Sequence, residues 1–411
     1  MKLKSKAFVL AALTAALSLA GCEKQDDVLD GLKEADISYI MKTDMTCVNG
    51  EELYVKTPFY VSSDILIRYE NPVFFDGRRL YFFRNSITEA EANEDKAAKG
   101  GAAAPRTAVI ACYDTEKNEV GLILEEDNKK HISYTFAAFK DSYLYYYRLE
   151  QKDGGGSPED KAALYRIGID EKKAEKLADV PVINGAAASS GRGVAAGDSL
   201  YFAQWQYGDG GSTYTAYSYN TESKKYEEYK TGIGNLMKFK NGIAYTKDNG
   251  GVYCCDPSEG GETEIYTCPQ NDEKEKIAFY SNGEKIFYRL IIESGETNAA
   301  EIGYISEGKR KRIGWDINGG GAPVHMEGGK LLLIDTPDKK SLIYDEKYNC
   351  LVRINLNRED CRGFPAEDSV MFVCCDNGGQ NPILYLYSRE KVKIQIPSAA
   401  NGLNGNMLEH P

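Results

Sequence analysis

Histidine and tryptophan are nearly missing from this 411-residue chain: His131, His325 and His410 are its imidazoles, Trp205 and Trp315 its indoles. Three scattered histidines and no Cys-x-x-Cys pair leave no zinc-type donor set at a recognised spacing, so neither a metal nor a cofactor is expected. Positive charge is short too. Fifty Lys and Arg against 62 Asp and Glu give a formal charge of −12, which excludes a nucleic-acid partner needing a basic footprint. No sustained helical period follows residue 21, which argues against a helical domain. Long apolar runs are absent as well. Residues 7–20 form a 14-residue run, interrupted by Thr14 and Ser18. At about 1.5 Å per residue it falls short of the ~30 Å hydrocarbon core that a spanning helix must cross.

What that run does have is its flanks. Lys2, Lys4 and Lys6 precede it, and "LAGC" ends it before the acidic "EKQDD". A charged leader, a short apolar core and small residues before a cleavage point form a secretory signal. The junction Leu19-Ala20-Gly21-Cys22 resembles the lipobox of bacterial lipoproteins. That resemblance implies cleavage after Gly21, a diacylglyceryl group on the Cys22 thiol, and Cys22 as the mature N-terminus. Each buried CH₂ of an acyl chain contributes about 0.8 kcal/mol, so two or more chains hold a soluble body on a membrane. The expected address is the outer face of the cytoplasmic membrane or the cell envelope, with Cys22 as the lipidation site. Residues 1–21 are then the signal peptide and 22–35 an acidic tether. Losing three lysines and no acids moves the formal charge from −12 to −15.

Nine cysteines remain after Cys22: Cys47, Cys112, Cys254, Cys255, Cys268, Cys350, Cys361, Cys374 and Cys375. An odd number leaves at least one unpaired in a monomer. Neighbours on a strand point to opposite faces, so neither adjacent pair closes on itself. Buried free thiols are one reading; a disulfide such as Cys254 to Cys268 is the other in an oxidising compartment.

Forty glycines and 29 tyrosines set the architecture. A turn pair followed by an apolar-aromatic strand recurs seven times, at "DGRRLYFF" (76), "DSYLYYY" (141), "DSLYFAQ" (198), "NGIAYTK" (241), "NGEKIFYR" (282), "GGKLLLI" (328) and "DSVMFVC" (368). A second hairpin follows each, from "AVIACYDTEKNEVGLIL" to "ILYLYSREKVKIQIP". Asp, Asn and Gly tolerate the tight backbone of such turns. Four strands per unit, repeated at a little over 40 residues, predict an all-β β-propeller over residues 71–397, with 398–411 as a tail. Seven four-stranded blades are expected. "VNGEELYVK" in residues 36–70 leaves two readings open: part of an eighth blade, or strands that pack on the ring and close it.

"AYTKD", residues 244–248, is similar to the YWTD repeat, and the hairpin pattern resembles the low-density-lipoprotein-receptor-like propeller domain of bacterial lipoproteins. Gly-His…Trp-Asp pairs are missing, which separates the chain from WD40 repeats, and two tryptophans are too few for a quinoprotein-type ring.

Chemistry is sparse. "TKDNGGVY", 246–253, is similar to the Asp box of sialidase-type propellers, a hairpin element there. No residue stands out as catalytic. Tyr143, Tyr145 and Tyr147 share one strand face and Leu144 and Tyr146 the other, either as blade core or as platforms for sugar rings. Residues 87–106 and 151–163 are insertions at equivalent points of the first two units, too polar to pack on their own. "DINGGGAP", 316–323, reads as a connector or an ion cradle. Two functions follow: a non-catalytic, membrane-anchored platform for a protein, peptide or glycan, or a carbohydrate-active enzyme using two opposed carboxyls.

Overall fold

The computed structural model describes residues 46–48, 52–59 and 72–390, the last span with breaks at 90, 94–104, 128, 153–158, 183–192, 209–210, 248, 257–259, 269–276, 295–296, 317–321, 326–331, 337–339, 345–349, 356–359, 367–368 and 377–379. Cys22 and the whole signal and tether lie outside the described residues, as does most of 316–323.

Two short strands come first, β1 (Thr46–Val48) and β2 (Glu52–Phe59). Antiparallel meanders follow. The first unit is β3 (Pro72–Phe75), β4 (Arg79–Arg84), β5 (Ala108–Asp114) and β6 (Glu119–Glu126). The second is β7 (His131–Lys140), β8 (Tyr143–Gln151), β9 (Lys161–Gly168) and β10 (Ala174–Val180). Next come β11 (Val194–Ala196), β12 (Ser199–Gly208), β13 (Gly211–Asn220) and the long β14 (Tyr226–Phe239), then β15 (Gly242–Lys247), β16 (Val252–Cys255) and β17 (Thr263–Tyr266). These seven form one sheet, because β14 pairs with β13 through its first half and with β15 through its second, Ile233 serving both. The later units are β18 (Ile277–Ser281), β19 (Ile286–Ser294), β20 (Thr297–Ser306) and β21 (Lys309–Asp316), then β22 (Ala322–His325), β23 (Leu332–Thr336), β24 (Lys340–Tyr344) and β25 (Cys350–Asn355). The last sheet holds β26 (Asp360–Pro365), β27 (Ser369–Asp376) and β28 (Gln380–Glu390).

The turns explain the meanders. Asp76 Oδ1 accepts the amides of Arg78 and Arg79 at 2.9 and 2.6 Å, and Asn282 Oδ1 accepts those of Glu284 and Lys285 at 3.1 and 2.9 Å. The following Gly77 and Gly283 sit at φ +98° and +90°, where a Cβ would be strained. Asp141 and Ser142 both have positive φ, the pattern of a two-residue hairpin matched to strand twist.

The N-terminal strand answers one question left open, because the outer edge of β28 is taken by β2, while "KVKIQIP", the strand the sequence pattern offers for that place, lies outside the described residues. Leu53 to Phe59 run in register against Glu390 to Leu384, with β1 beyond them. The segment around Val48 therefore starts no separate sheet.

Apolar clusters lie between successive sheets, not within one central core. Tyr81, Phe83, Ile110 and Ile123 of the first unit meet Ile132, Tyr134, Leu144 and Tyr146 of the second. Phe75, Leu80, Phe82 and Tyr113 of the first meet Phe364, Met371, Val373 and Leu384 of the last, and β26 lies against β3. Each buried aromatic or leucine contributes roughly 1.5–3 kcal/mol by area. Sheets packed face to face in sequence order, the last returning to the first, are a β-propeller.

Within β8, Leu144, Tyr145, Tyr146 and Tyr147 are all at most 4% exposed. This tyrosine run is sheet core on both faces. Cys112, Cys254, Cys255 and Cys268 are thiols, and Cys254 and Cys268 are not joined.

Candidate functional site

Antiparallel meanders sort their connections by face. Links between first and second strands, and between third and fourth, leave at one end. Those between second and third strands, and from one unit to the next, leave at the other. The described ends of four connections, 85–89 with 105–107, 127 with 129–130, 152 with 159–160, and 181–182 with 193, therefore share a face, and polar groups gather there at the seam of the first two units.

The root of the 85–107 connection is built, not loose. Ile87 and Arg106 bridge its two arms through reciprocal backbone bonds of 3.0 Å. Ser86 then seals the open edge of β7: its amide donates to the Ile132 carbonyl at 2.9 Å, and its hydroxyl accepts the Ile132 amide at 2.6 Å. Asn85 Oδ1 accepts the Tyr134 amide at 3.1 Å. An edge strand whose donors are satisfied this way cannot recruit another chain. Composition had implied a loop with nothing to pack; its ends instead use hydrogen bonds.

A turn of helix follows, and its entry is a capping box. The Thr88 amide and hydroxyl donate to Glu91 Oε2 at 2.8 and 2.9 Å, and the Glu91 amide donates to Thr88 Oγ1 at 3.3 Å. Glu91 Oε1 lies 2.5 Å from His131 Nδ1, and His131 Nε2 lies 3.1 Å from Ser133 Oγ. His131 and Ser133 are two apart on β7 and so share a face. Burial pushes the Glu91 carboxyl up, but the bonds from Thr88 and the neighbouring His131 outweigh it and hold the carboxyl below its ordinary value.

Beside this runs a chain of alternating charges across the seam. Arg148 of β8 grips Glu126 of β6 with two forked bonds, Nε to Oε1 at 2.9 Å and Nη2 to Oε2 at 2.8 Å. Its Nη1 donates to Glu150 at 3.1 Å, and Lys130 Nζ reaches the other oxygen of Glu150. Tyr134 Oη donates to Glu126 Oε1 at 2.7 Å. Desolvation works against the Arg148 charge, but Glu126 and Glu150 more than compensate and keep it protonated. The bond from Lys130, ahead of the opposing burial and the Arg148 charge, depresses the Glu150 carboxyl. Tyr146, wholly buried and stacked on Tyr165, has a hydroxyl with no hydrogen-bond partner among the described residues.

A second charged cluster lies on the fourth unit, where Glu262 receives Lys230, Lys247 and Tyr245. Although burial opposes ionisation, these donors pull its carboxyl to about 2. It is a locked surface knot, with the Lys247 ammonium 4.0 Å from the centre of the Tyr253 ring. The "TKDNGGVY" segment is the hairpin between β15 and β16, where the Gly251 amide donates to Asn249 Oδ1 at 2.9 Å. Among the described residues, no group of three or more His, Cys, Asp or Glu is placed to hold a metal ion.

Sequence reasoning missed Glu91, His131 and Ser133. His131 stood there only as one of three scattered imidazoles. Two signals were present: Thr88-x-x-Glu91 is a capping box, and His131-x-Ser133 is a same-face pair on a strand.

No family model matches the sequence, and no curated protein matches it. Among solved structures the chain is similar to an oligogalacturonate lyase in complex with manganese, at 12% identity and TM-score 0.48 over 83% of this chain and 93% of that one. It is also similar to the β-propeller domain of the Trilobed protease from Pyrococcus furiosus, of open velcro topology, at 12% identity and TM-score 0.45 over 63% and 84%. BamB from Moraxella catarrhalis gives 10% identity and TM-score 0.37 over 69% and 93%. Such likeness carries no argument about activity. By the order and packing of its own sheets, the chain is an all-β propeller.

Proposed function

We propose that the chain is a lipid-anchored, extracytoplasmic propeller of seven units, closed by β2, whose insertion-bearing face is a binding platform for a protein, peptide or glycan. One observation supports the platform most: the seam of the first two units presents hydrogen-bonded, partly exposed polar groups on the face carrying the longest connections. Binding function gathers on loops held by a rigid scaffold. The anchor rests on Leu19-Ala20-Gly21-Cys22 and its flanks. The enzymatic alternative needs a carboxyl kept protonated near neutrality. Glu91, Asp114, Glu150 and Glu262 are displaced the opposite way.

Two measurements test this. The full chain, expressed in a bacterium, should incorporate labelled palmitate and partition into detergent, and Cys22→Ala should do neither. A photo-crosslinking residue at exposed Glu89, on the proposed face, should trap an envelope component. The same residue at Lys172 or Lys224, in turns on the opposite face, should not. Equal trapping from both faces removes the platform assignment.

A further inference from the structure

We infer that Ser133, His131 and Glu91 form a nucleophile–base–orienter relay, and that Ser133 is an acyl-accepting centre for small esters. This goes beyond the platform and depends on neither the anchor nor a partner.

The contacts fit the proton arrangement of such a relay. Glu91 is a carboxylate whose Oε2 already accepts the Thr88 amide and hydroxyl, so its Oε1 can only accept from His131 Nδ1. In the neutral ring with Nδ1 as the donor, Nε2 is an acceptor placed 3.1 Å from the Ser133 hydroxyl, which donates to it in that tautomer. The three groups thus stand in the order that activates a serine: hydroxyl onto Nε2, Nδ1 onto a carboxylate. Such relays are recognised by geometry and roles, not by order in the chain.

The supports are rigid. Ser133 and His131 sit on β7, whose edge Ser86 and Asn85 seal. Glu91 is fixed by its capping box, and among the described residues no other hydrogen-bond partner holds Oε1. Access is open: the His131 and Glu91 side chains are 25% and 29% exposed, and Ser133 is partly exposed. The neighbouring charges, Lys130, Arg148, Glu126 and Glu150, are bound to one another. Ser133 is only partly buried, at the end of the seam that carries the long connections.

In the reaction, Ser133 Oγ bonds to the ester carbonyl carbon while its proton passes to His131 Nε2. The bond to the alcohol oxygen then breaks, and that oxygen leaves with the proton from Nε2. Water repeats the exchange in reverse, returning Ser133 and releasing the acid. With a fluorophosphonate probe, the Oγ–P bond forms, the P–F bond breaks, and fluoride leaves with the proton that His131 carried.

The test is fluorophosphonate labelling of the folded full chain, with the modified peptide located by mass spectrometry. Native protein should label on Ser133, and Ser133→Ala, which removes a single hydroxyl, should fall to the heat-denatured background. His131→Ala should slow labelling about 100-fold, the ordinary contribution of a general base, and added imidazole should restore part of it. Glu91→Gln, able to stabilise the wrong tautomer, should slow it about 10²- to 10⁴-fold. Ser133→Ala should keep the native melting temperature and still cross-link through Glu89 if the platform holds, which separates the two assignments. Label absent from native protein, label on another serine, or native-rate labelling of His131→Ala would each overturn the relay.

Discussion

The seam between the first and second units and the seam between the last and the first face the same packing problem with different chemistry. At the closing seam, Phe75, Leu80, Phe82 and Tyr113 meet Phe364, Met371, Val373 and Leu384, and none of those side chains is charged. At the other, an aromatic floor of Phe83, Tyr134 and Tyr146 carries Glu126, Arg148, Glu150 and Lys130 above it. Closure joins side chains 251 to 309 residues apart in sequence, and its loop entropy must be offset by contacts that need no partner geometry. A seam between sequence neighbours has a smaller entropy to offset. It can carry polar groups that add position and reactivity more than stability.

The largest effect should come from the closing seam. Phe82 is 1% exposed, and Phe82→Ala removes a ring the cluster cannot refill, at a cost of about 3–5 kcal/mol. Urea unfolding should show a large fall in midpoint with little change in slope. On the polar seam, Glu126→Ala strips both forked bonds from Arg148 and leaves Tyr134 Oη without its acceptor. Both ion-pair side chains keep some solvent contact, so the cost should be about 1–3 kcal/mol. If Glu126→Ala proves the more costly, the division of labour between the seams is wrong.

Acid should divide the seams next. Glu91 and Glu150 have folded-state affinities for protons below their ordinary values. Their contribution is therefore present above the unfolded carboxyl range, near pH 4, and is lost as pH falls through the lower folded values. Asp114, drawn to about 2 first by the Arg78 bond against opposing burial, follows the same sign. The closing cluster holds no carboxyl. Hydrogen exchange at pH 3 against pH 7 should show residues 85–93 and 131–134 losing protection before 364–373. Loss of both together would mean that the seams are not independent.

Much of the fold could be read because it is local. Asp76-Gly77 and Asn282-Gly283 are turn chemistry within four residues, and the doubly apolar Leu144 to Tyr147 run announces a strand buried on both faces. The pairing of β2 with β28 was not readable, since any alternating strand could satisfy that edge. Glu126 and Arg148 are only 22 residues apart, yet they meet across two sheets, and the rotation between sheets is not written in either strand. Glu91 and His131, 40 apart, meet through an insertion whose composition suggested no packing at all. Long-range polar partners are chosen by geometry that hydrophobic alternation leaves undetermined.

The smallest effect is the most discriminating. Tyr134 and Tyr146 pack edge to face at 5.5 Å on the same seam, but Tyr134 Oη bonds Glu126 while Tyr146 Oη has no partner among the described residues. Removing a bonded hydroxyl strands the Glu126 acceptor, so Tyr134→Phe should cost about 1–2 kcal/mol. Removing an unbonded one relieves a desolvated donor, so Tyr146→Phe should be neutral or stabilise by up to about 1 kcal/mol. Paired melting curves with Glu126→Ala sharpen the contrast: the Tyr134 loss should shrink in that background, while the Tyr146 change should stay the same. A clear loss on Tyr146→Phe would mean that an ordered water satisfies that hydroxyl, and the polar layer would then reach down to the aromatic floor.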